Sequence, residues 1–345
     1  MTPVRTGVLD IGSNSAHLLL VDLAPGRPPS PVGAVRRPTR LAEAIGPDGA
    51  IEESAVRRLI RAVDQAVRAA WYENVDELVV FVTSAVRDAA NAPEILAAIE
   101  RTCGVRPGYL DGETEARLTF HAVRAWYGWS AGAILLADIG GGSLELAYGK
   151  ATSETPEPEI ALSLPLGAGR LTRSHLPDDP PRRRQLRALR AHVADRLRDL
   201  PPLPPPDVDH PVRAVATSRT FTQLAVLTGA PKVSAGPYVR RTLELSALRA
   251  QIPRLARRPA EKRARLRGVS RPRARQIVAG AIVAEAVMTA LDLPRVEICP
   301  WALREGVALQ RLFTLTGHPP HHPLSGLIHP SPHHAGRRHL TAVNT

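Results

Sequence analysis

LLADIGGGSLELAYG (residues 135–149) sets an apolar run against an aspartate, three consecutive glycines, a serine and, two positions on, a glutamate. Three missing side chains in a row let something approach the main chain closely. A strand that ends in such a turn exposes a row of backbone N–H groups that cradles phosphate oxygens. A tight hairpin that needs glycine for its geometry accounts for one such loop equally well. The start of the chain repeats the grammar: VLDIGSNSAHLLLVDL (8–23) also runs from apolar residues into Asp-Ile-Gly, then small polar residues, then apolar residues again. Two loops of one grammar, 128 residues apart from Asp10 to Asp138, predict two similar α/β domains facing each other across a phosphate-filled cleft. Neither loop has the dinucleotide or the GxxxxGK[ST] spacing. Asp10 and Asp138 fall at the strand ends, where a carboxylate holds a hydrated Mg²⁺ near phosphate. Gly12 and Gly140, Gly141 and Gly142 provide the backbone cradle, and Ser13, Asn14, Ser15 and Ser143 add side-chain donors.

A length of 345 residues suggests about two domains. Hydrophobic residues make up 44%, enough for a large core. The two cysteines, Cys103 and Cys299, have no CxxC spacing. That fits a reducing cytoplasm and argues against a disulfide scaffold or a structural zinc site. The N-terminus does not read as a signal peptide, because Asp10 and Gly12 break its apolar run. The longest nearly apolar run, 277–291, is too short to span a bilayer and contains Glu285, so it reads as a buried helix rather than a membrane segment.

The formal charge of +12 is concentrated locally. Residues 254–275 carry ten basic side chains and one acid, and 182–190 carry five more. Such a surface collects polyanions, although solvated arginine-rich helix faces are an equally good account of either run. Aromatic residues are only 4%, and neither run contains one, which speaks against nucleic acid.

Short apolar runs predict strands at 4–10, 17–23, 78–83, 134–138, 144–148, 212–217 and 295–298. Helical spacing predicts helices at 52–70, 93–102, 113–127, 182–200, 219–228, 244–256, 272–292 and 302–315. The run 201–206, PPLPPP, predicts an extended, exposed connection. The tail from His318 holds seven of the twelve histidines among many prolines, and its irregular spacing predicts disorder rather than a metal site.

Seven pieces, in one order, carry a resemblance. They are DIGSNSAHLLLVD (10–22), TSAVRDAANAPEIL (83–96), LDGETEARLTFHAV (110–123), DIGGGSLEL (138–146), LPLGAGRLTRSHL (164–176), GVSRPRARQIVAGAIVAEAVM (268–288) and WALREGV (301–307). Together they resemble the exopolyphosphatase/guanosine pentaphosphate phosphohydrolase (Ppx/GppA) family, in its short two-domain form, from about residue 4 to 315. The resemblance implies an α/β fold of two ribonuclease H-like lobes of the actin, sugar-kinase and Hsp70 superfold, flanking a central phosphate-binding cleft. It divides the chain into an N-terminal lobe at 1–130, a C-terminal lobe at 131–317 and the tail at 318–345.

The resemblance also implies an activity: metal-dependent hydrolysis of the terminal phosphoanhydride of inorganic polyphosphate, with Mg²⁺ or another divalent ion as cofactor. Glu115, in Gly112-Glu113-Thr114-Glu115-Ala116-Arg117, matches the family's catalytic base. By itself it would read as an ordinary first-turn helix acid. Glu145 matches the glutamate that helps hold the metal or the water, with Asp138 as the stronger metal ligand and Asp10 beside it. Arg87 matches an arginine that contacts substrate phosphate, as guanidinium suits by bidentate pairing. Arg40 matches a similar basic position of the family, with Ala42 where glycine is usual. Homodimers are carried over as an expectation.

Three departures limit the transfer. Leu144 stands where threonine is usual. Thr217, Ser218 and Arg219 stand where consecutive glycines are usual, which disfavours a nucleotide cradle. The extra C-terminal domains of longer relatives are not matched, which implies short chains. Guanosine pentaphosphate remains the alternative substrate, and a non-catalytic sensor of polyphosphate or guanosine alarmones remains the alternative class.

Overall fold

The computed structural model describes residues 2–150, 157–202, 212–318 and 324–332. In chain order the elements begin with β1 (Val4–Ile11), β2 (Ser15–Leu23), β3 (Ser30–Pro38), α1 (Glu53–Tyr72), β4 (Glu77–Val82), α2 (Ser84–Arg87), α3 (Ala92–Cys103) and β5 (Gly108–Tyr109). There follow α4 (Gly112–Tyr127), β6 (Ala133–Ile139), β7 (Leu144–Gly149), β8 (Ile160–Leu164), α5 (Ala168–His175), α6 (Arg183–Arg198), β9 (Val212–Thr217) and α7 (Ser218–Leu227). The chain continues through β10 (Thr242–Glu244), α8 (Leu245–Ala256), α9 (Ala260–Arg263), α10 (Ile277–Ala290), β11 (Arg295–Ile298), α11 (Leu303–Leu315) and β12 (Ile328–Pro330).

Two units result, one of 1–111 with 304–345 and one of 112–303. In the first, the strand order is β12-β4-β1-β2-β3, with β5 also on β4. β1 pairs antiparallel with β2 and parallel with β4. All six residues of β4 are buried, as a central strand requires. α1 places Ala55, Leu59, Ala62, Val63, Ala66, Val67 and Ala70 on one buried stripe, and these pack on the sheet.

In the second unit the order is β10-β11-β9-β6-β7-β8. β6 pairs antiparallel with β7 and parallel with β9, so the arrangement of β1, β2, β3 and β4 recurs as β6, β7, β8 and β9. That recurrence bears out the doubled ribonuclease H-like, actin-like topology expected from the paired loops. α10, apolar almost all round, forms the centre of this unit's core. An added Cβ at its Gly280 would lie 2.6 Å from Thr220 of α7, so glycine sets the closeness of that helix pair.

The strands and helices expected from periodicity are present, with β3, β5, β8, β10, β12, α2, α5 and α9 added. The division expected at 130/131 moves. Residues 112–130 belong with the second unit because α4 packs over β8, β7 and β6. Thus Glu115, expected in the N-terminal lobe, sits in the second unit. Residues from 304 on belong with the first unit, where Arg311 of α11 makes a two-pronged pair with Glu77 at 2.6 and 2.7 Å. The expected disordered tail is also corrected in part. Residues 324–332 turn back, bury Leu324 and Leu327, and add β12 to β4, which supplies backbone partners at a sheet edge. The remainder of the tail from 319, and residues 203–206 of the proline run, lie outside the described residues.

Candidate active site

The two glycine loops are built alike. In the first, the Gly12 N–H donates to the Ser15 carbonyl at 3.1 Å; in the second, the Gly140 N–H donates to the Ser143 carbonyl at 2.9 Å. Each loop is then held through its carbonyls by a following segment. The Gly12 carbonyl accepts from Thr39 Oγ1 (2.9 Å), that of Ser13 from Leu41 N–H (2.7 Å), and that of Asn14 from Thr39 N–H (3.0 Å) and Arg40 N–H (3.5 Å). In the second loop the Gly140 carbonyl accepts from Ala168 N–H (3.0 Å) and the Gly141 carbonyl from Gly169 and Arg170 N–H (both 2.9 Å). The Gly142 carbonyl accepts from Arg170 Nε (2.8 Å).

A trans peptide places C=O and the next N–H on opposite sides. Carbonyls drawn toward 39–41 therefore turn the N–H groups of Ser13, Asn14 and Ser15 the other way. Carbonyls drawn toward α5 do the same for Gly141, Gly142 and Ser143. A row of N–H groups turned to one side has the form of an anion nest. Neither Gly12 nor Gly140 has a positive φ, and a Cβ on either would meet its own chain only at 3.4 Å or more. Hairpin geometry therefore does not demand glycine at these two positions.

In the second unit, register brings the carboxylates together. Asp138 of β6 lies opposite Glu145 of β7, which lies opposite Ser163 of β8, so the three side chains share one face of the sheet. Ser163 Oγ donates to Glu145 Oε1 at 3.0 Å. α4 covers that face. An added Cβ on Gly112 would fall 2.3 Å from Ser163 Cβ, and one on Gly149 would fall 2.7 Å from Phe120 Cζ. Glu115, in the first turn of α4, is only 6% exposed. Glu113 is exposed and pairs with Arg117 at 2.7 Å.

In the first unit, Asp10 is the penultimate residue of β1. Its Oδ2 accepts from Arg304 Nη1 at 3.1 Å, while Oδ1 is buried with no hydrogen-bond partner. Burial pushes this carboxyl above its ordinary range, against the pull of Arg304. Ser13 and Asn14 are buried, and Asn14 Nδ2 donates to Ser13 Oγ at 3.2 Å. Arg87 donates from Nη1 to the Leu110 carbonyl (2.6 Å) and from Nε to Asp88 (3.0 Å), which fixes its plane. Arg40 is exposed, with φ at +52°. At the place of the expected glycines, Ser218 has φ at +89°, so the backbone keeps the glycine-favouring conformation with a side chain attached.

Among the described residues no group of three or more His, Cys, Asp or Glu could hold a metal ion by itself. Mg²⁺ seldom uses such a cage: one or two carboxylates suffice when waters and substrate phosphates complete the shell. The Asp138–Glu145 pair and the orphaned Oδ1 of Asp10 fit that pattern. Sequence reasoning missed Thr39, Ser163, Arg170 and Arg304, which hold the loops and carboxylates. Only Arg170 and Arg304 lay in quoted motifs, without a role.

The model of the Ppx/GppA phosphatase family matches residues 20–314. The chain belongs to that family. It is 52% identical over 309 residues to Exopolyphosphatase 1 of Mycobacterium tuberculosis, covering 90% of this chain and 88% of that one. The crystal structure of an exopolyphosphatase from Cytophaga hutchinsonii has a similar fold, with a TM-score of 0.77 at 23% identity, covering 91% of this chain and 99% of that one. A Ppx/GppA family member from Aquifex aeolicus gives a TM-score of 0.71 at 24% identity, covering 91% and 99%. Membership makes the chain a phosphatase, hence a hydrolase, and phosphatases of this family generally depend on a divalent metal. No helix among the described residues is long and apolar enough to cross a membrane.

Proposed function

We propose that this Ppx/GppA chain is an exopolyphosphatase that removes the terminal phosphate of inorganic polyphosphate with Mg²⁺. The observation that carries this reading is the shared face of the second unit, where Asp138, Glu145 and Ser163 line up under α4 and Glu115 is buried in its first turn. Identity of 52% to a named exopolyphosphatase supports it.

The loop N–H groups of Gly141, Gly142 and Ser143 bind oxygens of the terminal phosphate and oppose its growing negative charge. Glu115 accepts a proton from a water as the water oxygen bonds to phosphorus. The bridging P–O bond breaks in line, its electron pair leaves with the chain shortened by one unit, and orthophosphate remains. Ser163 keeps the Glu145 carboxylate aimed by occupying one of its oxygens. When bound, Mg²⁺ held by Asp138 and Glu145 supplies charge neutralisation on the phosphate oxygens. Asp10 and the loop at 12–15 form a second nest of the same build, to which we assign phosphate and metal contact as well, with Arg87 as a further phosphate contact.

The test is orthophosphate release with Mg²⁺ from short and long polyphosphate, guanosine pentaphosphate and ATP. Faster turnover of short polyphosphate than of guanosine pentaphosphate is the expected result. Preference for the nucleotide would reassign the substrate. Tight binding of polyphosphate or guanosine alarmones without turnover under any divalent metal would make the protein a sensor.

A further inference from the structure

The two basic runs, separated by 63 residues of chain, meet at Asp178 and Asp179. Asp178 pairs with Arg182 at 2.9 Å, at the start of α6. Asp179 accepts the Ala260 N–H of α9 at 2.7 Å on Oδ2, while its Oδ1 pairs with Arg263 and, at 3.5 Å, with Arg275. Arg263 is 1% exposed, and two of its nitrogens, Nε and Nη1, have no hydrogen-bond partner, so the positive charge beneath this face is incompletely compensated. Arg183, Arg184 and Arg187 of α6, and Arg265 and Arg271 beyond α9, are exposed, and their side chains make no hydrogen bond or ion pair among the described residues. Arg265 and Arg271 line an open cavity of about 560 Å³ together with Ala260, Glu261 and Ala264.

α5 backs the second glycine loop on its carbonyl side and runs from there toward this face. Its first turn binds the loop carbonyls, and beyond its far end Arg275 Nη2 binds the carbonyls of Leu176 and Pro177 at 3.0 and 2.7 Å. Eight helical residues span about 12 Å.

We propose that this arginine face is an accessory site that holds the far segment of a linear polyphosphate chain whose end lies at the loop of Gly140–Ser143, an inference that rests on the exopolyphosphatase reading. A bare linear polyanion is matched by repeated unpaired guanidinium groups, which need only regular charge. A single-stranded nucleic acid would call for aromatic stacking partners, and neither 182–190 nor 254–275 contains one.

The test compares wild type with a variant carrying Arg183→Ala, Arg184→Ala, Arg187→Ala, Arg265→Ala and Arg271→Ala, and with the same five changed to Lys. Tripolyphosphate, too short to leave the loop, reports on the catalytic end alone. The expected result is a KM for long-chain polyphosphate raised about tenfold in the Ala variant, with a shallower salt dependence. The kcat and the KM for tripolyphosphate stay unchanged, and the Lys variant recovers most of the long-chain KM. An unchanged long-chain KM, or an equal loss on both substrates, would overturn the proposal. Binding of labelled long-chain polyphosphate without turnover gives an independent readout. If wild type hydrolyses neither substrate, the exopolyphosphatase reading falls, while loss of binding in the Ala variant still upholds the polyanion face. Displacement of polyphosphate by single-stranded DNA of equal charge at lower concentration would assign the face to nucleic acid instead.

Discussion

Arg304 Nη1 lies 3.1 Å from Asp10 Oδ2, and the other oxygen of that carboxylate is buried and unsatisfied. The pair joins the first residue of the C-terminal segment of this unit to the end of its first strand. Removing one partner of a largely buried ion pair leaves an uncompensated charge. Arg304→Ala should therefore lower stability by about 1–3 kcal/mol in urea unfolding, a range reduced because both side chains keep some exposure. Adding Asp10→Asn should recover part of the loss. If the double variant is less stable than Arg304→Ala alone, the pair is not what holds Asp10.

Glu115→Gln keeps the shape and burial of the α4 first turn but cannot accept a proton. Its kcat should fall by about 10²–10⁴ with an unchanged circular dichroism spectrum and thermal midpoint. Equal turnover by the variant and wild type would remove Glu115 from the proposed chemistry.

The glycines of the second loop and of the segment behind it should respond differently to alanine. At Gly140 a Cβ meets only Ser143 O at 3.4 Å and Glu145 Oε2 at 4.0 Å, so Gly140→Ala should fold within about 1 kcal/mol of wild type. On the proposed reading it should lose activity, because the methyl group would crowd the phosphate assigned to this loop. At Gly167 a Cβ would fall 2.3 Å from the backbone of Gly142 and Ser143, which cannot swing aside. Gly167→Ala should cost about 1–3 kcal/mol and activity together, read as a lowered denaturation midpoint.

Ser218 holds a backbone conformation that costs a residue with a Cβ about 1–2 kcal/mol. Its Oγ accepts from Phe221 N–H at 3.4 Å, a weak bond whose loss offsets only a few tenths. Ser218→Gly should raise stability by about 1 kcal/mol and the thermal midpoint by a few degrees. A destabilised variant would mean that the serine hydroxyl matters more than the strain.

The Cys103 thiol is pushed up to about 11, chiefly by burial, with Asp64 adding and Arg68 opposing. Its thiolate is the reactive form, so alkylation at pH 8 should be about 100-fold slower in the native protein than in the unfolded chain. Because the folded value is raised, whatever stability this thiol contributes is present below its ordinary value and lost as pH rises through 11. Labelling at the rate of the unfolded chain would show that the site opens readily.

The loop grammar was legible because it is local. Asp-Ile-Gly after an apolar run means a strand and its turn wherever it occurs, and both loops close with the same Gly-to-Ser bond. The α4 helix and the acid in its first turn were legible for the same reason: 3.6-residue periodicity needs no partner. β8 was not, since its residues IALSL alternate weakly and it is a strand only because β7 is there to pair with it.

The chain's own pattern therefore specified two doubled α/β units, their glycine turns and the residues clustered about them. Packing between distant segments assigned Glu115 to the second unit, set Ser163 on Glu145 and Arg304 on Asp10, and gathered two arginine runs around Asp179. Periodicity and turn chemistry are properties of neighbouring residues, whereas a hydrogen bond between residues 10 and 304 exists only after sheet pairing and helix burial have closed the intervening chain.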